Sequence, residues 1–577
     1  MSASRGTMDD IKAEPWLERP GPAARLRALA RLPRDQALGR LAYALKRPLY
    51  GLSLMRLLPA APGPAAPRMI PTDPWPGNAA RGAAIVKDAF TLAGQTVHLP
   101  APYWSPMGVD PVWFEALNGF AWLRDLRAAG GDQPRRKARS LVSDWMDRHR
   151  AWESRAWAPA VTGRRIGHWL GHYDFFSATA EVEFQQRLLE HLGRQARHLA
   201  RVLPAGLSDG DLIAALKGLV YAGLCLPGGE PWLRRGLALL AETLPRQLLA
   251  DGGHVTRSPA CQFQVLRDLV DLRAALHAGA QEVPEDLQQA IEAMAPMLRM
   301  LRHGDGGLAL FNNSNEAEGW QIDLLLQRAG GRASPPMSAP HSGFQRLQAG
   351  RSLVLVDCGA PPPPGHDRHA HAGTLGFEMS TGRERMIVNC GAQSGQPLWR
   401  WAQRTTAAHS TLVVNDSNSS QLLPGGGLGR RPDEVTWRRE ESEGSTWLEV
   451  SHDGYAQPLG VIHRRRLFLG AAGDDLRGED RLEGAKDGHF AIRFHLHPEV
   501  QVSLVQSGAA ALLRLPKGGG WRFLARGAEM SLEPSIYLGD ESQSRRSEQI
   551  VLSGRLAADT SVSWALRREA KARAGRR

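Results

Sequence analysis

The chain has 577 residues, 42% of them hydrophobic and 23% charged, the proportions of a globular protein long enough for two or three domains. Its net charge of +12 and pI of about 9.9 favour an anionic partner such as an acidic glycan, a membrane surface or nucleic acid. The charge is arginine scattered along the chain, and no zinc-finger, RNA-recognition or basic-zipper pattern occurs, so nucleic acid is set aside.

The first segment, Met1 to Trp16, is polar and carries Asp9, Asp10 and Glu14. It lacks the charged-then-apolar order of a secretory signal, which makes the cytoplasm the expectation. Residues 20–60 are rich in Arg, Leu and Ala and read as one or two basic amphipathic helices. Such helices more often pack on their own protein, but they can also lie on an anionic membrane. A Pro/Ala linker follows and closes an N-terminal arm over 1–80.

From 81 to 335 the apolar period is helical. In "IEAMAPMLRMLRHGDGG", Ile291, Met294, Met297, Leu298 and Leu301 share one face, and a Gly pair follows the run. Short Gly- and Pro-containing turns join successive runs, so this segment reads as an array of helical hairpins. Near 340 the texture changes to short runs of period two. In "HFAIRFHLH", Phe490, Ile492, Phe494 and Leu496 share one face. Residues 336–577 therefore read as an antiparallel β-sandwich, with the boundary in "GGRASPPMSAPHSG". Four cysteines, Cys225, Cys261, Cys358 and Cys390, form no CxxC pair and give neither a disulfide framework nor a Cys-based zinc site. Cys358 and Cys390 end apolar runs and read as buried thiols.

Four clusters can carry chemistry. The densest holds His366, His369, His371, Asn389 and His409. Histidines at i and i+2 point the same way on an extended chain, and imidazoles so placed either bind zinc or sit hydrogen-bonded at a strand edge. Spacing leaves both readings open. The second, "DGGHVTRSPACQ", holds Asp251, His254 and Arg257, with Ser258 as helix N-cap and Pro259 in the first turn. The third holds His303, Asp305 and Asn312. The fourth holds Arg164, Arg165, His168, Trp169 and Tyr173; Trp beside Arg suits a sugar ring and its carboxylate, although Trp at helical spacing is more often core. No GxSxG, GxxxxGK[ST] or HExxH motif is present.

"DGGH", "HGDGGLALFN", "HAHAGTLGFEMSTG", "AAHSTLVVND", "SHDGY" and "FAIRFHLHP", in that order, resemble the heparinase II/III-like polysaccharide lyases over roughly residues 85–570. The resemblance implies an incomplete (α/α) toroid followed by an antiparallel β-sandwich, with a uronate-containing polysaccharide such as a glycosaminoglycan in the cleft between them. It implies β-elimination, in which a base takes the proton beside the carboxylate and an acid protonates the leaving oxygen. Many relatives work in the periplasm or cell envelope, which stands against the cytoplasmic expectation.

Carried over residue by residue, the family's H-x-H-A-D motif falls on His369-Ala370-His371-Ala372-Gly373. His369 then takes the place of the catalytic histidine. His371, Asn389 and His409 take those of the zinc ligands, with Asn389 where the family has aspartate. The family tyrosine falls on Cys261, and its Asn-His pair near Gly210 and Asp211. Tyr173 and His254 remain as substitute catalytic groups, and Arg165, Trp169, Asp251, Arg257 and Asn312 as substrate contacts. Three readings follow: a lyase acting on an anionic polysaccharide, a glycan-binding protein that has lost turnover, and a protein held at a membrane surface by its basic helices.

Overall fold

The computed structural model describes residues 21–50, 66–99, 103–104, 108–395, 397–484, 487–540 and 543–569. Met1 to Trp16 and much of the Pro/Ala linker lie outside them. Two helices, α1 (Pro22–Ala30) and α2 (Arg34–Tyr50), form the described part of the arm.

The helical domain opens with α3 (Ala79–Val86) and a hairpin of β1 (Ala89–Leu92) and β2 (Gln95–His98), which the helical periodicity of this stretch did not announce. It continues through α4 (Pro111–Gly119), α5 (Leu123–Ala129), α6 (Asp132–Arg148), α7 (Pro159–Gly171), α8 (Tyr173–Ser177), α9 (Val182–Val202), α10 (Asp209–Cys225), α11 (Glu230–Gln247), α12 (Pro259–Ala278), α13 (Glu285–Met300) and α14 (Gly319–Ala329). Helix α10 is apolar all round after its first turn, and a helix of that pattern belongs inside. From Leu212 to Cys225 only Lys217 is not buried. It crosses α7 where two glycines meet: a Cβ on Gly218 would lie 2.4 Å from the Cα of Gly163. One continuous apolar core, from Trp75 to Ala329, fills this toroid.

The sandwich is antiparallel. Its larger sheet runs β17 (Glu529–Tyr537), β18 (Arg545–Arg555), β13 (His489–Leu496), β7 (Glu384–Val388), β6 (Phe377–Thr381), β5 (Ser352–Asp357), β4 (Phe344–Ala349) and β3 (Ser338–Ala339), and β8 (Leu412–Val414) also pairs with β13. The facing sheet runs β14 (Gln501–Val505), β15 (Ala510–Arg514), β16 (Gly520–Arg526), β19 (Asp559–Arg568), β12 (Asp475–Glu483), β11 (Val461–Leu469), β10 (Ser445–Tyr455) and β9 (Val435–Ser442). The alternation read in β13 is realised: Phe490, Ile492, Phe494 and Leu496 enter the core between the sheets.

A smaller apolar cluster joins the two domains, with Met297, Met300 and Phe311 on the toroid side and Phe344, Leu353 and Leu355 on the sandwich. Helix α2 reaches both. Arg40 Nε donates to the Gly206 carbonyl at 3.0 Å, Arg246 pairs with Asp35 at 2.9 Å, and a Cβ on Gly365 would lie 2.7 Å from Gln36.

Candidate functional site

The first turn of α10 carries Asp209, Gly210 and Asp211 to the edge of the toroid, where a loop of the sandwich, residues 365–371, comes down to meet it. His366 pairs with Asp209 at 2.5 Å. Arg164 of α7 pairs with Asp211 at 2.5 Å, and both side chains remain over a third exposed. His369 is also exposed. Burial first, then Arg368 and Arg404, push its pKa down to about 4, while Asp211 and Asp209 pull the other way. At neutral pH this imidazole is uncharged. Exposed Glu115 of α4 shares the field: burial and Asp211 raise its pKa, and Arg164, Arg368 and Arg155 oppose the rise. A cavity of about 650 Å³ adjoins this edge, bounded by Gln36 of α2, by Ser208, Thr243 and Gln247 of the toroid, and by His366.

Cys261 lies beneath the same turn: a Cβ on Gly210 would sit 3.9 Å from its sulfur. Ser258 caps α12 by accepting the Cys261 N–H, with Pro259 in the first turn. Burial, then Asp209, push the thiol up to about 12, so it stays protonated. His254 is 3.6 Å from that sulfur through Nδ1. Both its nitrogens are engaged, Nδ1 with Thr256 at 2.8 Å and Nε2 with the Gln247 amide oxygen at 3.2 Å. Burial lowers its pKa to about 4.

Several expected contacts are structural instead. Tyr173 is buried in the toroid core. Trp169 is fully buried, 5.3 Å from the rings of Phe120 and Trp145. Arg165, also fully buried, stacks 4.0 Å over Trp145 and donates to Gln195 and to the carbonyls of Asn118 and Ala156. Asp251 accepts the N–H groups of His341 and Ser342 at 2.9 and 2.7 Å. Arg257 forms a buried ion pair with Asp357 and donates to the carbonyls of Ser342, Gly343, Gly359 and Ala360. Asn312 donates to the Arg257 carbonyl and accepts the His371 N–H. These last three hold the domains together, and their polar atoms are occupied. The sequence reading missed Glu115 and Arg368; exposed charge on a helix and in a loop looks like solvated surface until the fold sets both near Asp211 and His369.

His371 and His409 do meet. His371 Nδ1 lies 3.1 Å from His409 Nε2. His371 Nε2 accepts the Asn313 N–H at 2.9 Å, and His409 Nδ1 faces the Thr405 carbonyl at 2.8 Å. Asn389 donates to Glu378 and accepts the Ser410 N–H, both at 3.0 Å. A zinc ligand must turn a free lone pair toward the ion. These three spend theirs on protein donors, and an amide replaces a carboxylate, so the set does not fit zinc.

A family model described as "Heparinase II/III N-terminus" matches residues 121–324, and one described as "Heparinase II/III-like, C-terminal" matches 331–565. FtsZ-localized protein C of Caulobacter vibrioides is 32% identical over 554 residues, 90% of this chain and 94% of that one. The crystal structure of heparinase III superposes with a TM-score of 0.72 at 14% identity, over 94% of this chain and 92% of that one. Heparan sulfate lyase HepC of Pedobacter heparinus gives 0.54 at 15%, over 92% and 88%. The toroid, the sandwich and the two matched models together establish that the chain belongs to the heparinase II/III-like family of polysaccharide lyases.

Proposed function

We propose that this protein binds an anionic, uronate-containing glycan between toroid and sandwich and has lost most or all β-elimination. The carrying observation is Cys261. By resemblance it falls at the place of the family tyrosine, its thiol is held up to about 12, and it cannot reach as a phenol does. Neither substitute repairs the loss, because Tyr173 is in the core and His254 has both nitrogens engaged. What remains around His369 is suited to binding: an uncharged imidazole beside Arg164, Arg368, Asp211 and Glu115. The test uses a panel of acidic glycans. At least one should raise the melting temperature, by up to about 2.7 kcal/mol of stabilisation at a hundredfold excess over Kd. Arg164→Ala should weaken that effect, and no glycan should yield the ultraviolet-absorbing unsaturated uronate. Product formation by the wild type that His369→Ala abolishes would restore the lyase reading.

A second reading rests on α2. Leu38, Leu41, Leu45 and Leu49 recur at intervals of three and four and are 46–70% exposed. Tyr50 packs on the toroid beside Trp152 and His198, and Gln36 is buried. Arg31, Arg34, Lys46 and Arg47 are exposed on the same helices and the turn between them. A leucine face flanked by cations fits an anionic bilayer surface. No helix among the described residues is long and apolar enough to cross a membrane, so the contact is peripheral. On this reading the protein works on the cytoplasmic face and, like the relative's name, localises with FtsZ. The full chain should sediment with phosphatidylglycerol vesicles and not with phosphatidylcholine alone, and Leu41→Glu/Leu45→Glu should reduce binding at least about tenfold. Equal binding by the double variant would defeat this reading, and a periplasmic location would favour the first.

A further inference from the structure

We propose that the place the family gives to a zinc site is, in this chain, a metal-free lock in which two neutral histidines and Asn389 hold the toroid-side loop 312–313 against the sandwich. The proton positions follow from the partners. The Thr405 carbonyl can only accept, so His409 Nδ1 carries the hydrogen. His409 Nε2 is then a lone pair, and the His371 nitrogen 3.1 Å away must donate to it. That leaves His371 Nε2 as a lone pair, which the Asn313 N–H fills. The chain closes in one direction with each ring nitrogen used once, and only if neither ring is charged.

The far end of the lock is built to the same plan. Asn312 and Asn313 both adopt left-handed backbone, φ +42° and +60°, a conformation asparagine tolerates better than most residues. Asn312 clamps the His371 N–H and the Arg257 carbonyl, and Gln403 reaches the Asn313 side chain at 3.4 Å. His371 is two residues from His369, so the lock also fixes where the cleft histidine stands.

Asn389 is what removes the need for a cation. Glu378 is fully buried. It accepts the Asn389 backbone and side-chain N–H groups, the Leu310 N–H and His303 Nε2. Aspartate at 389 would turn a second carboxylate toward Glu378, and two buried like charges need a cation or a proton between them. The amide instead donates to Glu378 and accepts from Ser410.

The test is metal content and thermal unfolding of the full chain. Wild type purified with zinc in the buffer should carry less than about one zinc per ten chains, and its melting temperature should not move with chelator. Asn389→Asp should melt lower than wild type without metal and recover part of the loss on adding zinc. Nitrogen-15 spectra should show both His371 and His409 as the Nδ1–H tautomer. Stoichiometric zinc in the wild type, a chelator-induced fall in its melting temperature, or an Asn389→Asp protein as stable as wild type without metal would each overturn the proposal.

Discussion

Arg257 shows how a residue that reads as a substrate contact becomes a structural pin. Its guanidinium is buried against the Phe344 ring, 4.9 Å from the centroid, and its donors reach Asp357 and four carbonyls across the domain boundary. Burial raises the Asp357 pKa even beside this arginine, whose charge and hydrogen bond favour the carboxylate. The backbone at Arg257 is left-handed, φ +53°, which costs energy for a residue with a Cβ and which the fixed fork offsets. Removing one partner of a buried pair costs about 3–5 kcal/mol because the other charge is left uncompensated. Arg257→Ala should therefore lose about that much in denaturant unfolding, and Arg257→Lys should recover only part, since one ammonium cannot serve five acceptors. A loss below about 1 kcal/mol for the alanine variant would show that the pin is dispensable.

At the scale of elements, what could be read from sequence was what depends on local period and caps. Ser258 and Pro259 start α12 as their chemistry demands, and β13 alternates as written. The β1–β2 hairpin was not legible, because four-residue strands inside a helical stretch leave little periodic trace. The candidate site was legible only in part. His369, Cys261 and Asp211 come together because each sits at an element terminus or in a loop facing the domain boundary. Trp169, Arg165 and Tyr173 were misplaced for one reason: helices α7 and α8 turn those side chains into the toroid core, and residue type says nothing about which face is turned. Arg165 is the clearest case. A buried guanidinium without a carboxylate is rare, and here stacking on Trp145 and donation to Gln195 and two carbonyls take the place of a counter-ion.

The whole molecule carries many histidines that its fold keeps uncharged. In the toroid alone, burial lowers His149, His198 and His254 to about 4 and His172 and His191 to about 3. All five side chains belong to residues less than a tenth exposed. In the unfolded chain each would titrate near its ordinary value, about 6.5. Above that pH neither state holds the proton, and these groups leave stability unchanged. As pH falls below about 6.5 the unfolded state takes up protons that the folded state refuses, so stability drops until pH reaches the folded values of about 4 and 3. One proton per histidine is worth about 1.4 kcal/mol per pH unit, so five acting together approach 7 kcal/mol per unit, against a usual total of about 5–15 kcal/mol. Half-buried Asp305 and Glu316, held near 2 chiefly by Arg385 and by His497 respectively against the cost of burial, add losses in the same direction below about pH 4.5. The protein should thus have a nearly level melting temperature from about pH 7 to 8 and lose it steeply between about 6.5 and 5. Calorimetry in buffers of different ionisation enthalpy should register uptake of several protons on unfolding near pH 5.5. A melting temperature that holds level down to about pH 5, or an uptake below one proton, would mean that these histidines find water or charge partners in the folded protein.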